Sequence, residues 1–226
     1  DNQMTDSIFN EEFLKKKDDY TFFQTDNSMI KDAIEQIIRI SLKKKIDERK
    51  MQILAPMYKG ENGIDNLNIL LQKIYNPPSI NKREIVYLDI TYREGDKVLQ
   101  LLNDLEKNVF NGDIGYIKEI NGGNIAIDFE GNKVVYTKKD LKQIKHAYAI
   151  TIHKSQGSEF EHVIMPISTS YYKMLYNKLV YTGVSRAKKS LTIVGSAQAF
   201  VKAINNNYSS NRKTSLKEKI LEVYNN

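Results

Sequence analysis

The densest group of potentially reactive side chains occupies residues 151–160, with the sequence Thr-Ile-His-Lys-Ser-Gln-Gly-Ser-Glu-Phe. An apolar segment at 148–150 precedes it, so we expect the group at the carboxyl end of a strand, where open α/β sheets bind ligands. Hydroxyls and amides at such a point hold phosphate oxygens, and Gly157 lets a backbone approach a ligand closely. The sequence therefore indicates a site for a phosphate-bearing ligand. The alternative is a polar loop with a satisfied histidine.

A second group covers residues 179–189, Leu-Val-Tyr-Thr-Gly-Val-Ser-Arg-Ala-Lys-Lys, and contains a single arginine, Arg186. It lies in a helical context just before the apolar segment 191–194. Arginine is permanently charged and forked, which suits it to charge that develops on a transferred phosphoryl group. By composition alone, a surface arginine at a basic helix end is the simpler interpretation.

Several motifs are missing from the sequence. It contains no G-x-x-x-x-G-K-[ST], no G-x-G-x-x-G, no G-x-S-x-G and no H-E-x-x-H. The chain therefore has no P-loop of its own for nucleotide phosphates. Asp47 and Glu48 lie in a charged run rather than after an apolar strand, so we interpret them as solvated surface. Because cysteine is absent and only three histidines occur, we predict no metal site.

Composition sets the broad class of the chain. With 226 residues and 41% hydrophobic residues, it can bury a sizeable core. No apolar run approaches the ~20 residues of a membrane span, and no secretory signal is visible, so we expect a soluble, cytoplasmic protein without membrane contact. The 34 Lys and Arg against 28 Asp and Glu give a net charge of +6. This excess permits a polyanionic partner but fits a lysine-rich surface equally well.

The order of apolar segments predicts an α/β domain with an inserted β-rich module. Residues 111–141 contain short strands separated by Asn-Gly and Gly-Asn turns, which are hairpin signals. Around them, strands alternate with helices, which favours a parallel sheet covered by helices. We therefore predict an α/β domain from residues 1–92 and 146–226, and a small antiparallel barrel at 93–145. The segments expected outside the module are strands 20–23, 51–54, 148–152, 163–167 and 191–194, and helices 30–46, 64–74, 172–184, 197–204 and 215–223.

Together, these segments resemble a known family. Thr-x-His-x-Ser-Gln-Gly-Ser-Glu-Phe at 151–160 resembles motif V of superfamily 1 helicases, and Tyr-Thr-x-Val-Ser-Arg-Ala-Lys at 181–188 resembles motif VI. Gln-Ile-Leu-Ala-Pro-Met-Tyr-Lys-Gly at 52–60 looks like motif IV of the RecD-type branch, superfamily 1B. Residues 95–100 and 109–115 resemble the lead into that branch's inserted barrel. The resemblance covers roughly residues 20–220, and the chain is similar in the same way to the UvrD-like helicase C-terminal family.

The resemblance implies a fold and a site. The fold is a RecA-like (P-loop NTPase-type) parallel sheet with helices on both faces, plus an inserted Src-homology-3-like barrel. It would be the second of two such domains, with ATP between them and the Mg²⁺ ligands on the missing first domain of the same parent chain. Arg186 matches an arginine finger, and Lys59 stands where relatives often have an arginine, whose fork it lacks. The implied nucleotide-binding residues are Gly157, Glu159 and Lys59, and the implied residues for single-stranded DNA are Thr151, His153 and Ser155.

The implied function is a DNA helicase motor for repair or recombination. It would couple ATP hydrolysis to 5′-to-3′ translocation on single-stranded DNA and to duplex unwinding, and this segment alone would be inactive. Protein partners are not indicated. One alternative is a stand-alone binding module for single-stranded nucleic acid; another is a degenerate structural domain, which the intact motif residues oppose. Two interpretations of the barrel surface are equally open. Its lysines could form a basic surface for single-stranded DNA with stacking aromatic residues, or Tyr136 could be a core residue and the lysines solvated. The other residues concerned are Tyr116, Lys118, Lys133, Lys138 and Lys139.

Overall fold

The computed structural model describes residues 16–206, apart from the side chains of residues 172 and 173. Its helices and strands alternate on either side of a run of strands in the middle of the chain. In chain order they are β1 (Tyr20–Gln24), α1 (Ile30–Lys43), β2 (Met51–Ala55), α2 (Ile64–Tyr75), β3 (Glu84–Tyr87), β4 (Ile90–Arg93), β5 (Lys97–Gln100), β6 (Ile114–Asn121), β7 (Asn124–Phe129), β8 (Asn132–Tyr136), β9 (Ile144–His146), β10 (Ala149–Thr151), β11 (Phe160–Ile167), α3 (Asn177–Val184), β12 (Ala187–Gly195) and α4 (Ala197–Asn205).

The central sheet has five parallel strands in the order β1-β12-β11-β2-β10. Strand β2 is buried along its whole length, as a strand covered on both faces must be. Helices α1 and α2 pack on one face through Ile34 and Leu71, and α3 and α4 pack on the other through Leu179 and Phe200. The predicted parallel sheet with helices on both faces is thus confirmed.

Two predicted helices differ from the structure. Helix α1 ends at Lys43 rather than near residue 46, because Lys45 adopts a left-handed backbone conformation with φ of 58°. The predicted helix 172–184 was wrong in its first half: a 3₁₀ turn at Thr169–Met174 is followed by extended backbone at Tyr176. The Asn206 amide donates to the Leu175 carbonyl at 2.8 Å, so a contact with the end of α4 stabilises the break. The expected helix 215–223 lies outside the described residues.

The inserted strands form a second, antiparallel sheet in the order β8-β7-β6-β5-β9. The hairpin β3–β4 packs on the same core through Tyr92, and Tyr136 is fully buried there, so it is a core residue. Gly115 permits the close packing, because a Cβ at this position would lie 2.8 Å from side-chain atoms of Ile127 and Phe129. We call residues 84–146 the inserted module; the division at 92/93 and 145/146 stays a prediction.

Candidate functional site

Residues 152–159, which we call the crossover loop, connect the two ends of the parallel strands. We call the side of the sheet where these strands end the carboxyl edge and the side where they begin the amino edge. Strands β10 and β11 are both parallel to β2, so the chain must return from the carboxyl edge to the amino edge between them. It does so without an α-helix, through a 3₁₀ turn at Ile152–Ser155 followed by irregular backbone. The loop therefore begins at the carboxyl edge, beside Thr151, and ends at the amino edge, beside Phe160.

The 3₁₀ turn is held together by two hydroxyls. The Thr151 Oγ1 accepts a hydrogen bond from the Lys154 backbone N–H at 3.1 Å, and the Ser155 Oγ donates to the Ile152 carbonyl at 2.8 Å. Both residues are buried, with exposed fractions of 6% and 0%. His153 is exposed, and its Nε2 lies 3.5 Å from the Tyr176 hydroxyl. Of the three residues predicted to meet DNA, only His153 presents its side chain at the surface.

Gly157 turns the crossover loop toward the amino edge. Its φ of +85° lies in the left-handed region, which glycine adopts at no steric cost. No atom lies within 4 Å of the Cβ that another residue would carry, so the backbone conformation, rather than crowding, favours glycine. The open space also leaves the loop backbone accessible to a ligand.

Arg186 lies between α3 and β12 at the amino edge and forms hydrogen bonds with the crossover loop. Its Nη1 donates to the Ser158 carbonyl at 3.1 Å and its Nε donates to the Thr182 carbonyl at 3.2 Å. Its own carbonyl accepts from the Phe160 N–H at 2.9 Å. The structure thus brings Arg186 to the loop segment that contains Gly157 and Glu159.

Glu159 is charged and half exposed. Its Oε2 lies 2.8 Å from the Lys188 Nζ, and 54% of the side chain is exposed. The hydrogen bond and charge of Lys188, with a smaller contribution from Arg186, lower the pKa of the Glu159 carboxyl below its usual value. Two cations, Lys188 and Arg186, thus favour the ionised form of this carboxylate.

The structure places Lys59 far from Arg186. It follows β2 at the carboxyl edge, whereas Arg186 precedes β12 at the amino edge. Ile53 is level with Ile164 and Thr192, which places the end of β2 about eight residues beyond Arg186 along the strands. At ~3.3 Å per residue the separation is about 25 Å, so one phosphate group cannot contact both side chains.

Lys59 instead belongs to a basic group at the carboxyl edge. Its Nζ lies 3.0 Å from Asp65 Oδ2, and the Lys145 Nζ lies 3.8 Å from Asp65 Oδ1 and 4.9 Å from the centre of the Tyr58 ring. Ala55 pairs with Thr151, so this group adjoins the start of the crossover loop. Sequence reasoning missed Lys145, because nothing local shows that β9 of the inserted module lies against the loop after β2.

Gly183 is a second residue that sequence reasoning did not single out. A Cβ there would lie 2.6 Å from the Met165 Sδ and 3.4 Å from the Ile152 Cδ1. Glycine therefore lets α3 pack closely on the crossover loop and the sheet. A glycine inside a helical pattern was the available signal.

Two further observations concern ions and membranes. Among residues 16–206, no three His, Asp or Glu side chains form a group that would hold a metal ion. In the same described range, no helix has both the length and the apolar character needed to cross a bilayer.

Comparison with known proteins identifies both parts of the chain. Residues 67–129 match the SH3 domain of ATP-dependent RecD-like DNA helicases, and residues 146–194 match the UvrD-like helicase C-terminal domain. The ATP-dependent RecD2 DNA helicase of Deinococcus radiodurans is 37% identical over 150 residues, covering 66% of this chain and 21% of that protein. The RecBCD enzyme subunit RecD of Haemophilus influenzae is 28% identical over 202 residues, covering 76% of this chain and 31% of that protein.

The chain thus spans about a fifth to a third of the length of these relatives. Among solved structures, Pif1 helicases at forked double-stranded DNA match 91% of this chain and 53% of theirs, with 18% identity and a TM-score of 0.49. The first matched segment covers most of α2 and strands β3 to β7, and the second covers β10, the crossover loop, β11, α3 and most of β12. Together with these relatives, the two matches identify the chain as a C-terminal helicase domain of the RecD type with its SH3 domain.

Proposed function

We propose that this chain is the second motor domain of a DNA helicase in which ATP hydrolysis drives 5′-to-3′ translocation on single-stranded DNA and unwinding of duplex DNA. The observation that carries the proposal is the crossover loop. It joins an edge with Arg186 and Glu159 to an edge with His153 and a basic group. A movement of the amino edge, which we assign to the nucleotide, is thereby transmitted to the carboxyl edge, which we assign to DNA. The direction of translocation rests on the RecD-type resemblance.

On the nucleotide side, Arg186 acts as an arginine finger from across the cleft to the first RecA-like domain of the parent chain. Its guanidinium stabilises the charge that develops on the transferred γ-phosphoryl group. Glu159 accepts a hydrogen bond from a ribose hydroxyl, and the uncovered backbone at Gly157 approaches the nucleotide. The assignment of the Mg²⁺ ligands to the first domain rests on the RecD-type resemblance.

On the DNA side, the exposed His153 contacts the sugar-phosphate backbone. Lys59 and Lys145 add positive charge at the same carboxyl edge, which supports a role for Lys59 with DNA rather than with the nucleotide. Thr151 and Ser155 act by shaping the 3₁₀ turn, because their hydroxyls are already bonded within it. Phosphate contacts of this kind position the strand without reading its sequence.

The test is ATP hydrolysis by the full-length protein with Arg186→Ala. We expect turnover to fall by about 10³-fold or more, with single-stranded DNA binding near normal, because the finger acts on the transition state. Arg39→Ala is the matched control, since Arg39 lies on α1 and pairs only with Glu35 in the described structure. Turnover within a few-fold of wild type in Arg186→Ala would refute the assignment.

The second candidate is a nucleic-acid-binding module without ATPase coupling, which the basic group at the carboxyl edge favours. It predicts binding of single-stranded DNA that weakens with salt, and no effect of Arg186→Ala on any activity of the full-length protein. The same pair of variants therefore separates the two candidates.

A further inference from the structure

A buried carboxylate joins the inserted module to the helicase domain. Asp96, in the turn between β4 and β5, is fully buried. Its Oδ1 accepts hydrogen bonds from the Asn76 Nδ2 at 2.7 Å and the Tyr148 hydroxyl at 3.0 Å. Asn76 follows α2, and Tyr148 immediately precedes β10. One oxygen of the module thus contacts two separate parts of the helicase domain.

The other oxygen completes the junction. Asp96 Oδ2 accepts from the Gln72 Nε2 at 2.6 Å and from the Arg93 backbone N–H at 2.7 Å, and lies 3.0 Å from the His146 Nε2. Burial alone would raise the pKa of Asp96, but these hydrogen bonds, that of His146 foremost, hold the pKa below its usual value. The carboxylate is therefore ionised and fully bonded at neutral pH, which is the condition for a buried charge to persist.

Neighbouring polar contacts fix the segment that leads into β10. The Lys97 Nζ donates to the Gln52 Oε1 at 2.9 Å, and the Gln52 Nε2 donates to the carbonyls of Ala147 and Tyr148 at 3.0 and 3.1 Å. The Asn68 side chain exchanges two hydrogen bonds with the Ala149 backbone, at 2.9 and 3.0 Å. Both sides of the segment are therefore held, three residues before the crossover loop begins.

The chemistry of the junction indicates a requirement for one fixed orientation. Apolar packing of similar volume holds two domains together at no desolvation cost, and replacing a buried charge network with it is often stabilising. A satisfied polar network adds directionality, because each hydrogen bond fails when the partners rotate or slide. Such a network suits a junction that transmits movement.

We propose that Asp96 is a positioning residue that fixes the inserted module on the helicase domain in one orientation and, through Tyr148, couples the module to the crossover loop. A displacement of the module then moves the strand that carries the DNA-side turn. The fixed orientation is independent of the proposed function, whereas the coupling rests on it.

The orientation is tested by distance measurement on the 226-residue chain, which has no native cysteine. Spin labels at Gln36→Cys on α1 and Lys133→Cys on β8 report the distance between helicase domain and module by pulsed electron paramagnetic resonance. Both positions are exposed. We expect one narrow distance distribution in the otherwise unaltered chain and a broadened or shifted one in Asp96→Asn. A broad distribution in the unaltered chain, or an unchanged one in Asp96→Asn, would overturn the proposal.

Two variants keep the test decisive. Tyr136→Phe removes an equally buried hydrogen bond, to the Gln100 Oε1 at 2.9 Å, but lies wholly within the module and should leave the distribution unchanged. Should Asp96→Asn fail to fold by circular dichroism, Tyr148→Phe decides, because it removes a single donor from the same carboxylate. A narrow, unshifted distribution in Tyr148→Phe then counts against the proposal.

The coupling is tested in the full-length protein as base pairs unwound per ATP hydrolysed. We expect Asp96→Asn to lower this ratio at least five-fold while DNA-stimulated ATP turnover stays within two-fold of wild type, and Tyr136→Phe to leave both unchanged. Equal losses of unwinding and turnover would refute the coupling. Absence of both activities in wild type would refute the proposed function and leave the distance result standing.

Discussion

The buried Lys97 makes the stability of this chain depend on pH in a direction that the structure fixes. Only 3% of the residue is exposed, and its Nζ donates to the Met51 carbonyl at 3.2 Å and to the Gln52 Oε1 at 2.9 Å. Burial lowers the pKa of Lys97 from 10.5 to about 8, and the charges of Glu48 and Asp47 oppose this shift. Below pH 8 the folded protein therefore carries a buried ammonium group at a cost in stability.

The direction in which the free energy of unfolding changes with pH follows from the protons that the two states bind. Between pH 8 and about 10, folded Lys97 has lost its proton and unfolded Lys97 still holds it, so the unfolded state binds more protons and the free energy of unfolding rises with pH. Each pKa unit corresponds to about 1.4 kcal/mol, so the pKa difference of Lys97 amounts to about 3 kcal/mol. Above pH 10 the buried tyrosines act in the opposite direction, because burial raises the pKa of residues such as Tyr75.

The assay is urea denaturation followed by far-ultraviolet circular dichroism between pH 7 and 10, for wild type and Lys97→Met. The free energy of unfolding of wild type minus that of Lys97→Met should grow by about 2–3 kcal/mol over this range. Lys133→Met, at an exposed position on β8, controls for the loss of a surface charge. A difference that stays constant within about 0.5 kcal/mol would refute the reasoning.

Two other predictions concern DNA binding and packing. Replacing Lys59 and Lys145 together by alanine should weaken binding of single-stranded DNA by the full-length protein and reduce the salt dependence by about one unit of slope per lysine, measured by fluorescence anisotropy; an unchanged slope would contradict the DNA-side assignment. Gly115→Ala should destabilise the chain by about 1–3 kcal/mol in thermal unfolding, because the new Cβ would crowd Ile127 and Phe129; an unchanged melting temperature would contradict this.

Local sequence signals were sufficient for much of the fold. Glycine turns predicted the short antiparallel strands of residues 111–141, where β6 to β8 lie, and the apolar spacing predicted α1 and α2 apart from their ends. The break before α3 was not predictable, because it depends on a contact with Asn206 from the end of α4. Tertiary contacts decide such boundaries and leave no mark in the local pattern.

The sequence indicated candidate site residues but not how these residues are arranged in space. The structure places Arg186 beside the loop that contains Glu159, and the roles of both residues stay predictions. The position of Lys59 depends on which sheet edge follows β2, and this requires the strand order. The burial of Ser155 depends on the packing of the 3₁₀ turn. The contact between Asp96 and Tyr148 joins residues 52 positions apart and has no sequence signature.

The most direct test of the central claim is ATP hydrolysis measured with and without single-stranded DNA, on this chain and on the full-length protein. If the chain supplies one side of a motor's ATP site, the full-length protein will hydrolyse ATP faster with DNA, and this chain alone will show no turnover in either condition. ATP hydrolysis by the full-length protein that is absent, or that does not respond to single-stranded DNA, would contradict the account.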